Sequence, residues 1–321
     1  RKIFVRTDAA KSLGMGHVYR TLALVQALAR HEITIVLSAD KPLGAQFFAD
    51  YPFRAVQVSD DTEFIQLVEK EKPDLVVFDQ LDTSAELVGS VKNQSKVATF
   101  EDLGPGAELA DLLIADLYNN PNVADEKQLT GIENSILAPN FESLPRKAEF
   151  TDEVQNVLVL FGGTDPAQLA DKSLRALETI KYAGNVTVVR GLGADPLNAG
   201  DYKLNIQMLS NVKNMPALMQ QAQLALSSAG RTITELSCMG VPTLCLAQNA
   251  KEMTHTHTTK DNGVLMLGLG SAISVEDLAT KLENAISNPE LRKQLHESAL
   301  RATAERSNAK IIDRIMHVLE L

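Results

Sequence analysis

Short runs of β-branched and apolar residues recur along this chain, and the segments between them are long enough, and periodic enough, to be helices. Residues 3–5, 33–37, 75–78, 97–100 and 112–115 read as buried strands, with helical patterns at 20–30 and 62–71. Strands joined by helix-length crossovers pair in parallel, so the alternation restricts the fold to a parallel sheet wrapped by helices. The pattern stops over 139–152, where Pro139, Pro145 and mixed charge interrupt it. It restarts with strands at 157–161, 186–189, 204–208, 224–227 and 243–246 and a helix at 215–221. The expected fold is α/β, with two Rossmann-like domains whose parallel sheets face across a cleft. The N-terminal domain would cover 1–145 and the C-terminal domain 146–321, with 139–152 as the linker. Residues 275–321 read as two or three helices, of which the last, 310–319, is expected to cross back onto the N-terminal domain.

A chain of 321 residues is longer than one core usually grows, which agrees with two domains. Aromatic residues make up 5% of it, Trp is absent and the formal charge is -10, so a base-stacking or phosphate-backbone surface for nucleic acid is not expected. Cys238 and Cys245 lie in apolar stretches without C-x-x-C spacing, which suggests neither a disulfide nor a zinc site and fits a reducing cytoplasm. No apolar run has the length of a membrane span. The chain opens on a strand rather than a signal peptide, and Arg1 at its start suggests a trimmed N-terminus.

In doubly wound sheets ligands bind outside the C-terminal strand ends, so the loops there carry the chemistry. The first strand ends in Arg6-Thr7-Asp8 and is followed by Gly14-Met15-Gly16-His17, with Arg20 one turn into the next helix. Two glycines allow close backbone approach and the helix N-terminus favours negative charge. His17 is then a candidate catalytic base, a reading set against one in which it merely caps the helix, while Arg6, Asp8, Gly14, Gly16 and Arg20 are candidate substrate contacts. In the second half, Ser227 to Glu235 follows a buried strand and opens a helix. Backbone N–H groups there, with Ser228, Gly230, Arg231 and Thr232, suit a diphosphate, and Glu235 suits the hydroxyls of a ribose.

The loop Phe161 to Pro166 contains Gly162, Gly163 and Thr164, which are expected beside the sugar phosphates, with Asp165 as a helix cap. It has neither the ending of a Walker loop nor a dinucleotide fingerprint, which disfavours a kinase or dehydrogenase. A last stretch, Gln248 to His257, offers Asn249 and Lys251 as polar contacts to a sugar. His255 and His257 lack a third ligand nearby in sequence, so substrate contact or solvation is expected of them before metal binding.

Together, Arg6-Thr7-Asp8, Gly14-Met15-Gly16-His17 with Arg20, Phe161 to Asp165 and Ser228 to Glu235 resemble the PseG/SpsG family, in order, from Ile3 to about Gly263. More distantly the chain is similar to MurG-like glycosyltransferases. The resemblance implies a GT-B arrangement, with UDP on the C-terminal domain and His17 at the sugar. It implies hydrolysis of UDP-2,4-diacetamido-2,4,6-trideoxy-β-L-altropyranose in pseudaminic (nonulosonic) acid biosynthesis, a chemistry of surface polysaccharides and flagellin glycosylation. No metal and no cofactor are implied, and association or fusion with other sugar-biosynthesis enzymes is. The family has a tyrosine shortly after the aspartate that ends the 75–79 strand, where this chain has Gln80-Leu81-Asp82. It also tends to Asn-Gln where this chain has Asn249-Ala250.

Three functions remain: a metal-independent hydrolase of a UDP-sugar, a GT-B glycosyltransferase using a UDP- or CMP-sugar with His17 activating an acceptor hydroxyl, and a silent nucleotide-sugar-binding partner. An intact His17 weighs against the third.

Overall fold

The computed structural model describes residues 1–9, 15–146, 149–191 and 193–320. The chain forms two compact units, Arg1–Pro139 with Arg306–Leu321, and Asn140–Glu305.

The first unit is built on seven parallel strands: β1 (Lys2–Thr7), β2 (Glu32–Ser38), β3 (Arg54–Val58), β4 (Leu75–Asp79), β5 (Lys96–Phe100), β6 (Leu112–Ala115) and β7 (Gln128–Thr130). They lie in the order β3-β2-β1-β4-β5-β6-β7. Between them run α1 (Gly16–Ala27), α2 (Pro42–Phe48), α3 (Asp61–Glu71), α4 (Ala85–Lys92) and α5 (Pro105–Leu109). Alternate residues of one strand feed two cores, as expected of a sheet covered on both faces. Ile3 and Val5 pack with Val18, Leu24 and Val25 of α1, whereas Phe4 packs with Phe64 and Val68 of α3 and Val88 and Val91 of α4. The order reverses between β1 and β4, so the C-terminal ends of these two strands flank a topological switch point.

The second unit begins with a short helix, α6 (Asn140–Ser143), and carries six parallel strands. These are β8 (Asn156–Leu160), β9 (Asn185–Arg190), β10 (Asn205–Ser210), β11 (Leu224–Ser227), β12 (Thr243–Ala247) and β13 (Val264–Leu269), in the order β10-β9-β8-β11-β12-β13. Its helices are α7 (Leu169–Thr179), α8 (Met215–Gln220), α9 (Thr232–Cys238), α10 (Val275–Ser287) and α11 (Pro289–Ala302). Here the reversal falls between β8 and β11, bringing together the loops that start at Phe161 and Ser228. The last helix, α12 (Asn308–Val318), belongs to the first unit and buries Ile311, Ile312 and Ile315 in the core shared with α1.

The two parallel sheets with their covering helices make the GT-B fold class expected from the sequence. Three strands were not anticipated: β3, β7 and β13. Each is the edge strand of its sheet, and each is only partly buried. A strand with a half-exposed side lacks the continuous apolar run that marks a central one.

Candidate functional site

The site in the first unit is organised by Asp79, the last residue of β4 and fully buried. His17, Arg20 and Thr21 stand at positions i, i+3 and i+4 of α1, which places them on one face of the helix. That face meets Asp79 through four hydrogen bonds. His17 Nδ1 lies 2.8 Å from Oδ1, Arg20 Nη2 2.5 Å from Oδ1, Arg20 Nε 3.0 Å from Oδ2, and Thr21 Oγ1 3.1 Å from Oδ2. Burial alone would push the Asp79 carboxyl up. The Arg20 charge and the hydrogen bonds from His17 and Arg20 outweigh it and hold Asp79 well below the usual carboxylate range. Arg20, itself buried, is held firmly protonated by Asp79, Glu101 and Asp116 despite its own desolvation.

An ionised Asp79 can only accept, so His17 Nδ1 carries the proton and Nε2 is left with a lone pair. The opposite tautomer would accept from Arg20 Nη2 at 3.4 Å, but would set a lone pair against a carboxylate oxygen at 2.8 Å. His17 thus orients by Nδ1 and is chemically available by Nε2, the arrangement of a general base. Its side chain keeps 13% of its surface exposed while Asp79 keeps none, so the imidazole is the reachable member of the pair.

Other residues expected here fall into two groups. Asp8 lies at the same sheet edge, accepting from Ser38 N at 3.1 Å, Lys41 Nζ at 2.8 Å and Gln80 Nε2 at 2.8 Å. Burial opposes its charge, but these hydrogen bonds prevail and lower its pKa. Gln80, at the departure from the family pattern, is therefore tied to Asp8. Both arginines are buried and have internal partners. Arg20 is 3% exposed and engaged with Asp79. Arg6 is 4% exposed, pairs with Asp61 at 2.7 Å and lies over the Phe64 ring, among the residues on the α3 face of the sheet. Arg6 at the end of β1 and Arg20 one turn into α1 were read as substrate contacts, and the structure places both in buried ion pairs. Gly16 is the first residue of α1, and a Cβ there would meet nothing within 4 Å. Gly14 lies outside the described residues.

In the second unit three loops are laced together by side chains that sequence reasoning passed over. Glu252 Oε2 accepts from Ala229 N at 3.1 Å and from Gln248 N at 2.8 Å. The Gln248 amide donates to Asp165 Oδ1 at 3.0 Å and accepts from Ala167 N at 3.1 Å. Asp165 in turn accepts from Leu169 N and Ala170 N at the start of α7, as the sequence led us to expect of a cap, and pairs with Arg190 at 2.8 Å. The loop after β11 is thereby fixed to those after β12 and β8. His255 Nδ1 is 2.7 Å from Ala229 O and His257 Nε2 is 3.2 Å from Gly230 O. Expected to touch substrate or solvent, these histidines hold backbone carbonyls, and His257 is 3% exposed. Asn249 caps a single turn, accepting from Glu252 N at 3.0 Å, and Lys251 is exposed.

The clasp grips the residues expected to meet a diphosphate. Ser228 is buried, Gly230, Arg231 and Thr232 are half-buried, and the chain enters α9 at Thr232 with no side-chain cap. Glu235 lies in the first turn of α9. Burial pushes its carboxyl up to about 7 against the opposing charge of Arg231. At β8 the chain passes through Gly162 at φ +71°, a conformation that disfavours other residues, and Gly163 sits so close to Gly191 that a Cβ there would meet the Gly163 carbonyl oxygen at 2.3 Å. Thr164 is half-buried beside it.

Residues 157–315 match the glycosyltransferase family 28 C-terminal domain. The spore coat polysaccharide biosynthesis protein SpsG of Bacillus subtilis (strain 168) is 26% identical over 309 residues, covering 90% of each chain. The UDP-2,4-diacetamido-2,4,6-trideoxy-beta-L-altropyranose hydrolase of Campylobacter jejuni is 21% identical over 272 residues, 81% of this chain and 96% of that one. Among solved structures, MurG of Acinetobacter baumannii superposes with a TM-score of 0.69 at 17% identity, over 98% of this chain and 99% of that one. The resemblance read from the motifs is thus found in the comparisons. Among the described residues no helix is long and apolar enough to cross a membrane.

Proposed function

From a GT-B-fold chain that carries a glycosyltransferase family 28 C-terminal domain and is related to nucleotide-sugar-processing enzymes, we propose a metal-independent hydrolase of a UDP-sugar, releasing UDP and a free amino-deoxy sugar. The observation that carries this reading is the His17–Asp79 pair, which leaves Nε2 as the base. Water attacks the anomeric carbon and gives its proton to Nε2, while the bond from that carbon to the diphosphate oxygen breaks and its electrons leave with UDP. In the second unit, Arg231 and the backbone N–H groups of the 228–232 loop other than that of Ala229, which Glu252 holds, meet the charge of the departing diphosphate, and Glu235 accepts from the ribose. The relationship to the Campylobacter hydrolase supports pseudaminic-type sugars as the substrate class.

The family 28 match favours a second reading, transfer to an acceptor hydroxyl deprotonated by the same Nε2. Incubation with a panel of UDP- and CMP-sugars separates the two. Steady release of nucleotide and free sugar in water supports hydrolysis, and release only on adding an acceptor supports transfer. His17→Ala is expected to cut turnover by about 10²–10⁴ while nucleotide affinity stays native. Near-native turnover in that variant would overturn the assignment of His17.

A further inference from the structure

At the end of β4 one polar side chain has a fixed orientation that the chemistry described so far does not use. Gln80 follows Asp79 directly and is half-buried. Its Nε2 donates to Asp8 Oδ2 at 2.8 Å. The same oxygen accepts from Lys41 Nζ at 2.8 Å, and Asp8 Oδ1 accepts from Ser38 N at 3.1 Å. Burial opposes the Asp8 charge, but the hydrogen bonds from Lys41, Ser38 and Gln80 prevail. An ionised carboxylate can only accept, so the Gln80 amide does not turn round: the reverse orientation would set its carbonyl oxygen against Asp8 Oδ2. Gln80 Oε1 is therefore directed away from Asp8, and it makes no hydrogen bond to a described residue.

The backbone that carries Gln80 is held on both sides. Asp79 is bound by His17, Arg20 and Thr21 of α1. Thr83 donates to Asp102 after β5, from its N at 3.0 Å and its Oγ1 at 2.6 Å, and Leu103 N donates to Asp82 Oδ1 at 3.1 Å. Leu81 and Leu103 stand out from these two joined loops, 43% and 41% exposed. The loops thus present apolar surface as well as an oriented acceptor. A ligand that covers such surface excludes water, and a hydrogen bond made beside it is stronger for the low local dielectric.

We propose that Gln80 is a specificity-determining residue, its carbonyl accepting a hydrogen bond from a hydroxyl or an amide N–H on the sugar carbon next to the anomeric one. The proposal rests on the reading of His17 as the base that serves the anomeric carbon. Consecutive α-carbons are about 3.8 Å apart. The residue after the one that orients His17 is thereby placed for the substituent nearest the reacting carbon. Hydroxyl and amide N–H offer an amide oxygen the same donor chemistry, and a methylene at that carbon offers none.

The test uses the protein in a His17→Ala background, which halts turnover, and calorimetry reads the Kd of UDP, UDP-N-acetylglucosamine, UDP-glucose and UDP-2-deoxyglucose. Gln80→Leu is expected to weaken the tighter of the two donor-bearing sugars by about tenfold and UDP-2-deoxyglucose by less than about threefold, with UDP unchanged. Which of the two binds more tightly identifies the donor as N–H or O–H. If thermal unfolding shows that Leu is not accepted, Gln80→Met removes the same acceptor with an unbranched side chain. Equal losses for all three sugars would mean that Gln80 only supports the loop, and no loss for any would mean that it does not meet the sugar. Either result overturns the proposal. Failure of the parent reading looks different: His17→Ala alone would keep its turnover.

Discussion

Asp79 selects the tautomer of His17, and Asp79→Asn probes that choice with almost no change of shape. An amide can turn its N–H₂ toward Nδ1, which would then accept, moving the proton to Nε2 and removing the base. Turnover is expected to fall by about 10²–10⁴ with UDP affinity unchanged, and a loss below about threefold would mean that another group orients His17. Glu235 offers a test by pH. Ribose hydroxyls donate to the ionised carboxylate, so UDP affinity should rise as pH passes upward through about 7, the value to which burial lifts this group. Glu235→Gln should abolish that dependence, and calorimetry between pH 6 and pH 8 would read it, both pH limits being about one unit from the midpoint. Because the folded pKa is above the ordinary one, the stability this residue contributes is full below about 4.5 and is lost as pH rises to about 7. His17 was legible in the sequence as a candidate base from its Gly-x-Gly setting. Asp79 was not, because an acid that ends a fully buried strand reads as a strand terminus until the helix facing it is known.

Among the elements, the loop after β11 takes its shape in part from its neighbours. Glu252, His255 and His257 hold its backbone at Ala229 and Gly230. Glu252→Ala leaves Ala229 N and Gln248 N without their shared acceptor. It should weaken UDP binding by about 1–3 kcal/mol, the usual cost of unsatisfied buried donors. A native UDP affinity would show that the loop holds its shape unaided. In the sequence His255 and His257 suggested contact with substrate or solvent, since polar residues after a strand look alike whether they face a ligand or a carbonyl. Central strands such as β1, β4, β8 and β11 were readable from continuous apolar runs. The edges β3, β7 and β13 were not, because half of their surface answers to solvent.

For the whole molecule, α12 makes the first unit depend on the far end of the chain. Ile311, Ile312, Ile315 and Leu319 are buried in its core, and Asn308 and Arg306 bond the backbone at Leu137 and Ser135. Truncation after Glu305 removes these four apolar side chains, worth roughly 6–12 kcal/mol as an upper bound from burial. Thermal unfolding should then show the first unit melting well before the second, and one unshifted transition would mean that α12 adds little. What the sequence by itself determined was the doubly wound class, the repetition of the pattern in two halves and the loops at the C-terminal strand ends. Those follow from periodicity and from local turn and cap residues, which act over a few positions. Only the tertiary structure decided which polar side chains meet. Asp79 lies 62 residues from His17 and Glu252 lies 23 from Ala229. Whether a carboxylate there serves a ligand, an imidazole or a backbone N–H depends on what the fold brings within about 3 Å of it.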